Sequence, residues 1–125
     1  KLETARELIP SPVILGSGDK KIGFITLGSS VEATREAVSR LEKSGTQADI
    51  IIPLGLPLHD ELYAFIEDHE QTYLVEQNRD GQVLSIIRDE RPDLSSKISS
   101  IRVFNGLPIT AGGIIEEYNK AREIK

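Results

Sequence analysis

The 125 residues suffice for one domain with a single core, and 38% hydrophobic with 28% charged residues is ordinary for a globular chain. A net charge of -5, scattered lysines and arginines and only 5% aromatics exclude a phosphate-tracking or base-stacking surface, so nucleic acid and anionic membranes are not expected partners. The absence of cysteine excludes a disulfide framework, a thiolate nucleophile, a Cys-type zinc site and a cysteine-held cluster, and suits a cytoplasmic protein.

Leu2, Ala5 and Leu8 carry the spacing of a helix tail, which Pro10-Ser11-Pro12 breaks. Residues 1–20 therefore read as a helix tail and linker from an upstream domain, with Val13-Ile14-Leu15 able to add a short edge strand. The chain opens without methionine and contains none, as expected of a piece of a longer protein. From Lys21 to Leu27 a short apolar run has strand character. Gly28-Ser29-Ser30 turns it into a helix from about Val31 to Ser44, with Ser29 and Glu32 spaced as a capping box and Gly45 as a C-terminal cap.

Asp49 to Ile52 is the next strand, followed after Pro57 by a helix over roughly Asp60 to His69 that buries Leu62, Phe65 and Ile66. Thr72 to Glu76 forms a third strand, and Gln82 to Glu90 a helix with Val83, Ile86 and Ile87 inward. Ile98 to Phe104 reads as a further strand, and Thr110 to about Arg122 as the closing helix. No apolar run approaches the roughly 20 residues of a membrane span. The alternation predicts an α/β domain over residues 21–125: a mostly parallel sheet of four to five strands with helices on both faces.

Two places could carry chemistry. The Gly28-Ser29-Ser30 turn opens a helix after a parallel strand, the arrangement that attracts anions, although it is neither a Walker loop nor a GxGxxG fingerprint. Glu76-Gln77-Asn78-Arg79-Asp80-Gly81-Gln82 is the densest polar cluster, and it lies at a strand's carboxyl end, where open sheets place binding crevices. The two histidines, His59 and His69, are ten residues apart, fall on different helix faces and read as surface groups rather than a metal pair. Glu67-Asp68 and Asp89-Glu90 are sequential carboxylates that diverge on their helices.

The run from Val75 to Gln82 resembles the "VEQNRDGQ" stretch of α subunits in the 2-oxoglutarate:ferredoxin branch of the 2-oxoacid:acceptor oxidoreductases. Lys21 to Ser29, Ile52 to Pro57 and Gly106-Leu107-Pro108-Ile109-Thr110-Ala111 resemble further pieces of that family, in the same order. The resemblance implies a transketolase C-terminal-like fold and a structural or assembly role in the α subunit. The reaction it implies is oxidative decarboxylation of a 2-oxoacid such as 2-oxoglutarate on thiamine diphosphate, giving acyl-CoA and passing electrons to ferredoxin. It places thiamine diphosphate, magnesium and an iron–sulfur cluster elsewhere in the complex and none in this domain, which is expected to be inactive alone. Expected partners are the remainder of the α subunit, a β subunit and ferredoxin. Glu76 to Gln82 with Gly106, Leu107 and Pro108 are then candidate interface or coenzyme-edge contacts. Two alternatives stand beside this reading: the same domain of another thiamine enzyme, of transketolase or dehydrogenase β type, or a free-standing ligand- or protein-binding module.

Overall fold

A computed structural model describes residues 10–18, 20–54, 58–76, 82–102 and 109–124. Five strands, β1 (Val13–Leu15), β2 (Ile22–Ile25), β3 (Ala48–Ile52), β4 (Gln71–Glu76) and β5 (Ile98–Arg102), form one sheet in the order β1-β3-β2-β4-β5. Strands β2 to β5 run parallel, and β1 alone pairs antiparallel, with Ile14 opposite Ile51. The helices are α1 (Val31–Lys43), α2 (Asp60–Asp68), α3 (Gln82–Glu90) and α4 (Ala111–Ile124), and a 3-10 segment over Pro92–Lys97 leads into β5. The predicted helix tail at Lys1 to Leu8 and the predicted end of the last strand at Phe104 lie outside the described residues.

Alternating side chains divide the core into two layers. Phe24, Ile50, Tyr73, Val75 and Ile101 face α1 and α4, meeting Val38, Leu41, Ile114 and Tyr118. Tyr73 and Tyr118 meet edge-on with ring centroids 4.9 Å apart, an arrangement that adds about 0.5–1.5 kcal/mol to area burial. On the other face Ile25, Ile51, Leu74 and Ile98 meet Leu62, Phe65 and Ile66 of α2 and Leu84 and Ile87 of α3. The inward face of α3 is thus centred on Leu84 and Ile87, with Val83 and Ile86 only partly buried at its flanks.

Helix ends follow local chemistry. Thr46 N–H donates to Leu41 O and Gly45 N–H to Glu42 O, a Schellman closure that needs the positive φ of Gly45, +101°. At the other end of α1 the helix begins one residue later than the predicted capping box places it. The N-cap is Ser30, reached through a single 3-10 turn, and its hydroxyl makes no cap bond. That hydroxyl is drawn inward instead, for a reason visible at the carboxyl edge of the sheet.

Candidate functional site

Strands β2 and β4 lie side by side, but their crossovers leave in opposite directions. The β2 connection passes through α1 on one face to β3, whereas the β4 connection passes through α3 on the other face to β5. Their carboxyl ends therefore flank a topological switch point, where open α/β sheets form crevices. Gly28 to Ser30 follow β2, while Glu76 and Gln82 bracket the connection after β4. The fold thus brings the two sequence-predicted regions to adjacent strand ends. Gln77, Asn78, Arg79, Asp80 and Gly81, and likewise Gly106, Leu107 and Pro108, lie outside the described residues.

Within the Gly28-Ser29-Ser30 turn, Ser30 is committed to packing. Thr34 Oγ1 donates toward Thr26 Oγ1 at 3.0 Å and Ser30 O at 2.9 Å. Thr26 Oγ1 and Ser30 Oγ are 2.7 Å apart, and Ser30 Oγ donates to Leu27 O at 2.8 Å. Three buried hydroxyls thereby pass their protons along one line that ends on a backbone carbonyl, which satisfies each of them. Ser30 has no hydroxyl left for an anion, and of the candidate trio only Ser29 has an exposed side chain.

Glu76 is committed in a similar way. It is 5% exposed, and its carboxylate accepts from Val83 N–H and Ser100 Oγ, each at 3.3 Å. Burial raises its pKa above the ordinary carboxylate value, while the Val83 N–H, the Ser100 hydroxyl and the Arg102 charge pull it back down. The side chain pins the first turn of α3 to β4 and β5, a place where the helix dipole favours a negative charge. Gln82, by contrast, is exposed at the start of α3.

A wide groove of about 780 Å³ lies between α1 and the start of α4. Its arginines are already balanced by acids, Arg40 by Glu36 and Arg35 by Glu32 at 3.7 Å. Thr110 Oγ1 caps α4 by accepting from Gly113 N–H at 3.0 Å. The sequential carboxylates do not converge on one another. Glu67 pairs with Arg91, whose guanidinium also meets Asp93 at 2.8 Å, and Glu90 accepts from Tyr63.

The reading of His69 as a surface group is corrected, whereas His59 stays partly exposed at the helix start. His59 is the N-cap of α2, its Nδ1 accepting from Glu61 N–H at 3.0 Å. His69 is 1% exposed and meets Asp49, itself fully buried, with Nε2 2.8 Å from Oδ2. This dyad sits at the amino edge of the sheet, away from the switch point. Gly23 makes room for it: a Cβ there would lie 2.4 Å from Phe65 Cε1 and 3.3 Å from His69 Cδ2. The available sequence signals were an aspartate opening an isoleucine run and a histidine closing the helix just before β4. Among the described residues no three of His, Asp and Glu converge as a metal site, and no helix is long and apolar enough to cross a membrane.

The sheet order, its single antiparallel edge and helices on both faces define a transketolase C-terminal-like α/β fold. A split-gene transketolase solved as an inactive β4 tetramer has the same fold, with a TM-score of 0.73 and 19% identity over 91% of this chain and 42% of that one. The chain is further similar to 2-oxoglutarate:ferredoxin oxidoreductase from Magnetococcus marinus, solved with 2-oxoglutarate, coenzyme A and succinyl-CoA bound. There the TM-score is 0.78 and the identity 26%, over 94% of this chain. The chain spans 21% of the length of that oxidoreductase chain. The α chain of a probable 2-oxoacid ferredoxin oxidoreductase from Thermoplasma acidophilum shares the fold at a TM-score of 0.55 and 21% identity, over 91% of this chain and 96% of that one. No protein-family model and no curated protein matches the sequence significantly.

Proposed function

We propose that the chain is a structural and assembly domain in the α subunit of a cytoplasmic 2-oxoacid:ferredoxin oxidoreductase. The supporting observation is the joint likeness in fold and sequence, a TM-score of 0.78 with 26% identity, to a fragment of the Magnetococcus marinus enzyme. The parent assembly would decarboxylate a 2-oxoacid such as 2-oxoglutarate, form its acyl-CoA and reduce ferredoxin. Transketolase, the alternative, is supported by fold alone at 19% identity.

The residues of this chain do not fit the cofactors such a reaction needs. There is no cysteine to hold a cluster and, among the described residues, no converging acidic or histidine set for a magnesium diphosphate. The buried groups at the switch point, Glu76 and Ser30, are engaged within the fold. The chemistry accordingly belongs to other parts of the assembly, and the role of this domain is to present surfaces. Val13, Ile14 and Leu54, exposed by 43%, 43% and 51%, supply apolar contact along the β1 side of the sheet. Gln77 to Gln82 and Gly106 to Pro108 would supply polar contacts to a neighbouring subunit or the coenzyme edge, with the buried Glu76 holding the start of that segment on the sheet. Residues 1–20, which include β1, would carry the join to an upstream domain.

Co-purification of the complete encoded subunit with a β subunit tests this reading. Expected is reduction of a low-potential acceptor that depends on both 2-oxoglutarate (or another 2-oxoacid) and coenzyme A. A complete polypeptide that is stable without a β subunit, and whose mixture with one reduces nothing, contradicts the proposal.

A further inference from the structure

Helix α1 turns Thr34, Ala37, Val38 and Leu41 inward. At about 100° per residue, Glu32, Glu36, Ser39 and Lys43 then line the opposite side. Arg35 and Glu42 flank that side on one edge, and Arg40 flanks it on the other. All seven are exposed. The acids Glu32, Glu36 and Glu42 balance the bases Arg35, Arg40 and Lys43, so this face is neutral although the whole chain carries a net charge of -5. Two copies that meet here bring no net charge together.

The order of charges along the helix matters as much as their sum. Acids stand at its start, Glu32 and Glu36, and bases at its end, Arg40 and Lys43, while Arg35 and Glu42 reverse that order on one edge. A face with this order is complementary to itself run backwards. A two-fold axis crossing α1 at the level of Val38 sets an antiparallel second copy so that Glu36 lies opposite Arg40 of the second copy. Within one residue of the same register, Glu32 meets Lys43 and Arg35 meets Glu42 of the second copy. Symmetry makes each contact twice, as an isologous interface requires. Ser39, beside the axis, is small enough to let the two helices approach to about 8–10 Å. A parallel copy would set acid against acid and base against base.

The pairs made within α1 are compatible with this docking. Arg35 lies 3.7 Å from one oxygen of Glu32, and Arg40 pairs with one oxygen of Glu36. Each carboxylate has a second oxygen that can accept from a cation of the second copy. On its Arg40 edge the helix borders the open groove of about 780 Å³, which leaves room for a second helix beside it. Exposed ion pairs are weak singly and screened by salt, so an association built on them is weak and salt-sensitive.

We propose that the outer face of α1 is a self-association surface, on which a second copy of this chain docks antiparallel through these charge pairs. The face lies on the α1 and α4 side of the sheet, apart from the apolar β1 side, and the proposal stands or falls independently of the oxidoreductase reading.

Sedimentation of the chain in about 20 mM and about 0.5 M sodium chloride reads the association. Expected is a monomer–dimer equilibrium with a Kd on the order of 0.1–1 mM at the lower salt, weakened by at least about tenfold at the higher. Two charge-reversed chains locate the surface. Glu32→Lys with Glu36→Lys and Glu42→Lys makes the face wholly basic, and Arg35→Glu with Arg40→Glu and Lys43→Glu makes it wholly acidic. Each alone should stay monomeric, while their equimolar mixture should dimerise at least about tenfold more tightly than the parent chain. A parent chain that is monomeric at about 1 mM in low salt overturns the proposal and leaves α1 a solvated face. Dimers that persist in each reversed chain overturn it equally, as does a mixture that stays monomeric while circular dichroism shows both chains folded. If a reversed chain does not fold, cross-linking by a bismaleimide decides. Ser39→Cys, beside the axis, should link to itself at least about tenfold faster than Ser85→Cys, an exposed position on α3, and equal rates refute the docking.

Discussion

Replacing Gly23 by alanine probes how the amino edge of the sheet is built. The new Cβ would lie 2.4 Å and 2.8 Å from two ring carbons of Phe65, where carbon contacts normally settle at about 3.5–4.0 Å. The Phe65 ring must therefore retreat by about 1 Å, yet it is 5% exposed and stacked on His69 with centroids 4.1 Å apart. Overpacking of this kind costs about 1–3 kcal/mol, and loss of glycine freedom in the unfolded chain returns about 0.4–1 kcal/mol. A net loss of about 1.3 kcal/mol should lower the melting temperature by roughly 4–8 °C for a domain of this size. Circular dichroism melts and urea titrations read it, with the urea slope unchanged because the fold persists. A variant within about 0.5 kcal/mol of the parent would refute the packing described for Phe65 and His69.

Three further outcomes follow from particular side chains. Gly112 lies in the first turn of α4 with nothing near its missing Cβ, so Gly112→Ala should stabilise the chain by about 0.5–1 kcal/mol in the same melts. Glu76 has a raised pKa in the fold, so its favourable contribution is fully present below about pH 4 and is lost as pH climbs through the raised folded value. Glu76→Gln should therefore remove part of the stability decline between about pH 4 and pH 7 in urea titrations, and an unchanged decline would show that the carboxyl is solvated. Arg79→Ala in the complete enzyme should weaken subunit assembly or raise the coenzyme A requirement, while the melting temperature of the isolated domain stays within a degree or two. Unchanged assembly and turnover would make Arg79 a surface charge worth under about 1 kcal/mol.

Strands and helices were legible because each carries its own local signal. The Ile50-Ile51-Ile52 run, the Gly45 cap and the Asp60 to Asp68 amphipathic pattern are each contained in a short continuous stretch of sequence. Even the edge strand at Val13 to Leu15 could be read, although its antiparallel direction could not, since direction depends on what the strand meets. The polar strand ends were also visible, and the sheet order explains why they matter by setting β2 beside β4. What local patterns cannot show is which polar groups satisfy one another over distance. Ser29 and Glu32 have capping-box spacing, yet the helix start is fixed by Thr26 and Thr34 acting on Ser30 from within the core. Asp49 and His69 are 20 residues apart and meet only because Gly23, on a third element, leaves space above the sheet.

The most direct test of the assembly role compares the complete α subunit with a version lacking this domain, each mixed with the β subunit and followed by gel filtration and 2-oxoacid turnover. The intact subunit should co-elute with β and turn over 2-oxoacid. The shortened one, shown by circular dichroism to be folded, should lose co-elution and turnover together. A folded, shortened subunit that assembles and turns over like the intact one would contradict the account.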